Sequence, residues 1–259
     1  MALMLPLAAH ATDAGPTTAD FALMRQADVV VLGETHDNPT HHHVQAEIIA
    51  DLQPRALVVE MLTPDEASDL VADPAGYSAQ WSENGWPDYA MYLPIFTASD
   101  ALVYGAGVTR EVARASYKDG VAAHFEGDVQ AFGLSDPLPT DQHDQRIELQ
   151  FDAHCEAMPR VALGGMVEVQ RLRDATLARV TLEALQKSAQ NADGPVVVIT
   201  GNGHARADWG VASYLQRVQP GLRVISVGQS EDGVRPEGGF DLVYDAPAVI
   251  RDDPCDAFK

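Results

Sequence analysis

Two short motifs place an imidazole and small residues at matching positions, Gly33-Glu34-Thr35-His36 and Gly201-Asn202-Gly203-His204. Each follows an apolar run, 27–33 (ADVVVLG) and 196–201 (VVVITG), and a third run, 56–61 (ALVVEM), carries Glu60. A fourth, 101–108 (ALVYGAGV), is followed by Arg110, and Arg206 stands two residues past His204. Glu34, His36, Glu60 and His204 have the side chains of a hard-to-borderline metal site. They equally suit general acid–base work, in which carboxylates hold imidazoles in a chosen tautomer. A structural role competes with both, because Thr35 or Asn38 can cap the next helix and His36 can simply pack there.

Further candidates lie outside these motifs. His41-His42-His43 cannot share one ion, because neighbours on a helix point about 100° apart. His42 or His43 is expected to line the pocket with His36, the others to be solvated. The segment 86–94 (WPDYAMYLP) brings aromatic faces and phenols, which suit packing or a platform for a flat ligand, with tyrosinate as a ligand for ferric haem. His154 and Met158 are spaced i, i+4 and would share a face if the helix reaches Met158.

These residues need a scaffold that gathers strand ends. The four runs above, with 222–228 and 240–246, are continuously apolar and rich in Val and Ile, the pattern of strands buried on both faces of a parallel sheet. A helix is expected from Thr40 to Leu52, ahead of Pro54. From 64 to 187 helical spacing dominates, with one clear strand. The segment 141–190, broken at Pro159, is expected to form two helices. The expected architecture is a parallel-sheet core from the beginning and end of the chain, with a mainly helical insertion over one end. In such a sheet ligands bind at the carboxyl ends of the strands, where all these charged residues fall.

The chain has 259 residues and a formal charge of −21, which disfavours binding along nucleic acid or anionic membranes. The charge is uneven. Residues 119–156 hold nine acids and one arginine, Arg146, whereas 160–179 hold Arg160, Arg171, Arg173 and Arg179 against Glu168 and Asp174. Cys155 and Cys255 permit one disulfide and lack the spacing of a zinc knuckle or a thioredoxin-type pair. Residues 2–9 (ALMLPLAA) and the small-x-small string Ala9-His10-Ala11 read as the remnant of an export signal over 1–11.

The strings 32–45 (LGETHDNPTHHHVQ), 58–61 (VVEM), 86–94, 154–159 (HCEAMP), 169–178 (VQRLRDATLA) and 199–211 (ITGNGHARADWGV) together resemble the ChaN-like haem-binding proteins. Their superfamily includes the Tiki metalloproteases, TraB and the erythromycin esterases. The resemblance implies a three-layer α/β/α fold with a helical subdomain, a single domain over 20–259 with the insertion at about 64–187, and haem as the bound group. It further implies a homodimer, a periplasmic or outer-membrane-associated location, and an outer-membrane haem transport system as partner. The superfamily's paired motifs fall on Gly33, Glu34 and His36 and on Gly201 and His204, with the intervening acid on Glu60; Asn38, His42, Arg110 and Arg206 beside them complete the expected core motif. The family's haem-ligating tyrosine is expected at Tyr89 or Tyr92; His154 and Met158, from their spacing, are further axial candidates, and Arg171 and Arg173, from the basic stretch 160–179, are candidate partners for a dianionic ligand. This sequence departs from lipoprotein members in having no lipobox cysteine. The superfamily keeps open an alternative: a divalent-metal hydrolase built on Glu34, His36, Glu60 and His204. The absence of a Gly-x-Ser-x-Gly elbow argues against a serine esterase.

Overall fold

A computed structural model describes residues 15–258, apart from 75 and 190–192. The expected export-signal remnant lies outside the described residues. Six strands, β1 (Val29–Leu32), β2 (Ala56–Val59), β3 (Leu102–Gly105), β4 (Val196–Ile199), β5 (Val224–Glu231) and β6 (Leu242–Ala246), form one sheet in the order β3-β2-β4-β1-β5-β6. All five pairings are parallel. Each strand matches one of the six apolar runs.

Alternation within the runs builds two cores. Val30, Leu32, Leu57, Val59, Val197 and Ile199 face one side, and Val29, Val31, Ala56, Val58, Val196 and Val198 the other. Strands this buried can afford no polar face, which is why they read as continuous apolar stretches. The first face is covered by α1 (Thr18–Met24), α2 (Pro39–Leu52), α3 (Pro64–Ala72), α4 (Ser78–Glu83) and α5 (Tyr89–Thr97), through residues such as Met24, Ile48, Leu70, Trp81 and Tyr92. The second is covered by α8 (Gly164–Lys187) and α10 (Val211–Val218), through Leu172, Ala178, Val211 and Leu215. The fold is therefore three-layered α/β/α.

The stretch 64–187 is helical as expected but is woven into the core rather than seated over one end. It supplies β3 to the sheet, and α8 lies along the second face. Between them come α6 (Arg110–Asp119) and α7 (Thr140–Ala153). Helix α7 stands apart from the sheet and packs on the start of α8 through a small cluster of Ile147, Leu163 and Val167. The two helices expected from 141 to 190 are α7 and α8.

Local sequence explains the entries into the site. Asn38 caps α2 by accepting from Thr40 N–H, with Pro39 at the first helical position. Gln53, left-handed at φ 43°, ends that helix before Pro54. The short α9 (Asn202–Ala205) begins directly at the end of β4.

Candidate functional site

Strands β2, β4 and β1 are adjacent, so their carboxyl ends bring Glu60, the segment 200–204 and the segment 33–36 together. Two carboxylate–imidazole pairs result. Glu34 Oε1 accepts from His36 Nδ1 at 2.7 Å and from the Tyr92 hydroxyl at 2.7 Å. His42 Nε2 stands 3.5 Å from Glu34 Oε2, with its ring 4.1 Å from that of Tyr92. In the second pair His204 Nδ1 donates to Asp174 Oδ1 at 2.7 Å, and its Nε2 lies 3.5 Å from Glu60 Oε1. Glu60 Oε2 accepts from the Thr200 hydroxyl at 2.5 Å and from Gly201 N–H at 3.0 Å.

The motif glycines follow from these close approaches. A Cβ on Gly201 would lie 3.0 Å from His36 Nε2, and one on Gly33 would lie 2.5 Å from Asn202 Oδ1 and 3.0 Å from Ala205 Cβ. Only glycine lets the two strand-end loops touch.

Burial pushes the Glu34 carboxyl up, but hydrogen bonds and charge from His36 and His42 outweigh it and hold Glu34 well below the usual range. Burial likewise lowers His36 and His204, yet their carboxylate partners win and raise both above the ordinary value of 6.5. Glu60 is held low against its burial by His204 and His36. Both imidazoles thus have Nδ1 anchored and hold a second proton more tightly than a free imidazole does.

A cleft of about 390 Å³ opens over them. Its floor holds Glu34, His36, Gly201, Asn202 and His204, and its walls include Leu149, Ala153, Val167, Trp209, Arg146 and Asp174. A second cavity, about 270 Å³, shares His36 and His204 and adds Glu60, Trp86 and Arg173. His36 Nε2 has no hydrogen-bond partner among the described residues, and the side chain keeps 32% exposure. Arg173, half-buried at the rim, makes no ion pair or hydrogen bond among the described residues.

Several expectations need correcting. Tyr92 is fully buried and committed to Glu34 and the His36 carbonyl, and Tyr89 donates to Pro74 O at 2.7 Å. Burial and the neighbouring carboxylates raise the Tyr92 phenol far above its usual range, so neither tyrosine is presented as a haem ligand. His154 and Met158 do not share a helix face: α7 ends at Ala153, and Cys155 and Glu156 turn left-handed at φ 54° and 56°. His154 donates to Gln150 O, and Met158 packs against the small cluster under α7. Arg171 is buried on Glu168 and the carbonyls of Gly133 and Asp136, away from the cleft. Arg110 is exposed and donates to Asn84 O. Asn38 serves α2 and bonds Glu231 and Pro247 O. Arg206 reaches the cleft only indirectly, paired with Asp208 and stacked 3.6 Å over the Trp209 ring. Among the triple histidines, His42 joins the site, but His41 is also buried, accepting from Thr35 N–H at 2.9 Å, and only His43 is exposed.

Sequence reasoning passed over Asp174, Arg146 and Trp209. Asp174 had a signal: an acid set within the apolar α8 stripe of Leu172, Ala175, Leu177 and Ala178. Among the described residues no three His, Cys, Asp or Glu side chains converge as a metal-binding group. The divalent-metal alternative therefore gains no support from geometry.

A family model for haem-binding uptake proteins of the Tiki superfamily, ChaN, matches residues 21–215, most of the chain and every element of this site. The chain belongs to the ChaN haem-binding uptake family. Among solved structures, the ChaN of Campylobacter jejuni, described as binding haem cofacially, is 18% identical, with a TM-score of 0.62 over 85% of this chain and 88% of that one. That likeness supports the shared three-layer fold of this ChaN-family chain. The type III effector HopBA1 is 15% identical over 93% of this chain and 97% of that one, with a TM-score of 0.46. No curated protein matches this ChaN-family chain.

Proposed function

We propose that this chain binds haem in the cleft above His36 and His204 and serves haem-iron uptake. The observation that carries the reading is the Glu34–His36 pair: Nδ1 is tied at 2.7 Å to a buried carboxylate, leaving Nε2 without a partner at the wall of an open cleft. An imidazole oriented in this way by an outer carboxylate is a good iron ligand. Leu149, Ala153, Val167 and Trp209 offer apolar contact to a flat macrocycle, and unpaired Arg173 offers charge to an acidic edge. The donor set thus fits ferric haem, with His36 in the ligand role first given to Tyr89 or Tyr92.

Cofacial binding in the Campylobacter relative supports a homodimer, in which two open clefts would meet face to face. The cross-link between Cys155 and Cys255 supports an exported, periplasmic location, where disulfides persist. Delivery to or from an outer-membrane haem transporter completes the proposal.

Hemin titration followed in the Soret region tests it. Saturable binding is expected, weakened at least tenfold in His36→Ala and strengthened as pH rises and His36 sheds its proton. Absence of saturable uptake by the wild type would sink the haem reading; an unchanged spectrum in His36→Ala would remove His36 as the ligand. Light scattering with and without hemin tests the dimer.

A further inference from the structure

The one basic residue in the acidic stretch 119–156, Arg146, lines the cleft. It is carried by α7 and is only 5% exposed. A guanidinium has five N–H donors, and those of Arg146 are thinly used. Its Nη2 reaches Trp209 O at 3.4 Å, Nη1 stands 4.0 Å from Asp174 Oδ2, and Nε has no partner among the described residues. Arg171 is as buried, yet its terminal nitrogens make three bonds of 2.9 to 3.3 Å. Asp174 gives Oδ1 to His204 at 2.7 Å and faces Arg146 with Oδ2 at 4.0 Å, an ion pair beyond hydrogen-bond distance.

A buried cation with so little hydrogen bonding is costly unless something else completes it. Burial pulls the Arg146 pKa below the usual guanidinium range, and Asp174 does not make up the difference. The cleft lining mixes Leu149, Ala153, Val167 and Trp209 with the polar Glu34, Gln150, Gln170 and Asp174, and Arg146 is its one guanidinium among the described residues, so an incoming carboxylate would find a single fork-shaped partner there. Carboxylates suit that fork, taking two parallel N–H donors from one guanidinium.

We infer that Arg146 is the carboxylate anchor of the cleft, selecting a flat apolar ligand that carries an acid group. The inference rests on the haem reading and deepens it: the acid would be a propionate. The rival role is neutralisation of Asp174, which would affect acid and ester ligands alike through His204.

The test compares hemin with hemin dimethyl ester, each titrated by Soret absorbance and tryptophan fluorescence into the wild type, Arg146→Gln, Arg146→Lys and the exposed control Arg160→Gln. Hemin is expected to bind about 10- to 100-fold more tightly than the ester in the wild type and the control, the span of one or two charge-assisted bonds. Arg146→Gln should erase most of that preference while leaving ester affinity within about twofold. Arg146→Lys, which keeps the charge but loses the fork, should retain part of it, and it carries the comparison if Arg146→Gln fails to fold. Equal affinity for acid and ester in the wild type, or a preference that survives both substitutions, would overturn the Arg146 role and leave haem binding standing. Failure of both porphyrins to bind the wild type would overturn the two together.

Discussion

At the scale of single residues, the site is organised by what each imidazole nitrogen is given to do. Glu34 and Asp174 hold one nitrogen of His36 and His204; Glu34 raises His36 above 6.5 against its burial, and Glu60 together with Asp174 does the same for His204. A raised folded-state pKa stabilises the fold fully below the unfolded value and loses that contribution as pH climbs through the folded one. Wild-type melting temperature should therefore fall between roughly pH 6.5 and the folded pKa values above it. Glu34→Gln should move the His36 titration, read by NMR, back toward 6.5 and flatten its share of the slope. A His36 pKa unchanged in that variant would show that Glu34 is not its partner. Glu34, His36, Glu60 and His204 were legible in the sequence because each sits just past an apolar run. Arg146 was not. Its role depends on where α7 docks, and no local pattern marks a lone arginine among acids as the one turned inward. Tyr92 misled for the opposite reason: its type suggested iron, but its burial commits it to Glu34.

Elements decide how firmly those residues are held. Glu60, His204 and His36 follow the ends of adjacent strands in a sheet packed on both faces, whereas one wall of the cleft is α7, which packs through Ile147 on Leu163 and Val167. A satellite cluster of that size should open before the sheet does. Leu163→Ala, costing about 2–5 kcal/mol at a fully buried leucine, should raise amide exchange across 140–163 and leave β1, β2 and β4 protected. Matched loss of protection in the strands would show α7 to be part of the global unit. The central strands β1, β2 and β4 were readable because burial on two sides leaves no polar residue in them, whereas β5 and β6 carry Gln229, Ser230 and Asp245 and were read from their apolar stretches. Helix α8 was harder to place. It carries Glu168, Arg171, Arg173 and Asp174 among its apolar residues, so its sequence resembles an insertion helix, although it covers half the sheet. The end of α7 was missed because Cys155 and Glu156 adopt φ > 0, which ordinary residues seldom do and their types do not announce.

Across the whole molecule, the acidic surplus and the cleft have different jobs. The charge of −21 repels a dianionic ligand, while Arg146 and Arg173 line the two cavities at His36 and His204, so on the proposed haem reading rising salt should speed hemin association by screening the repulsion. One further whole-chain feature bears on the cleft. Past β6 the chain returns across the molecule: Arg251 pairs with Asp37 and Glu231, and Cys255 is bonded to Cys155, 100 residues away in sequence. Cys255→Ser should cost about 2–4 kcal/mol in chemical denaturation. A smaller loss would mean that the ion pairs hold the segment without the covalent link.

Asp37 follows His36 in sequence, and Cys155 lies two residues past Ala153, so residues 251–255 tether the turn after β1 to the end of α7. Four peptide steps reach at most about 14 Å. The segment is therefore a calliper: it limits how far apart its two attachment points can move, whatever enters between them. Reduction of the Cys155–Cys255 bond would release that limit at the α7 end and leave only the Arg251 ion pairs to hold the segment.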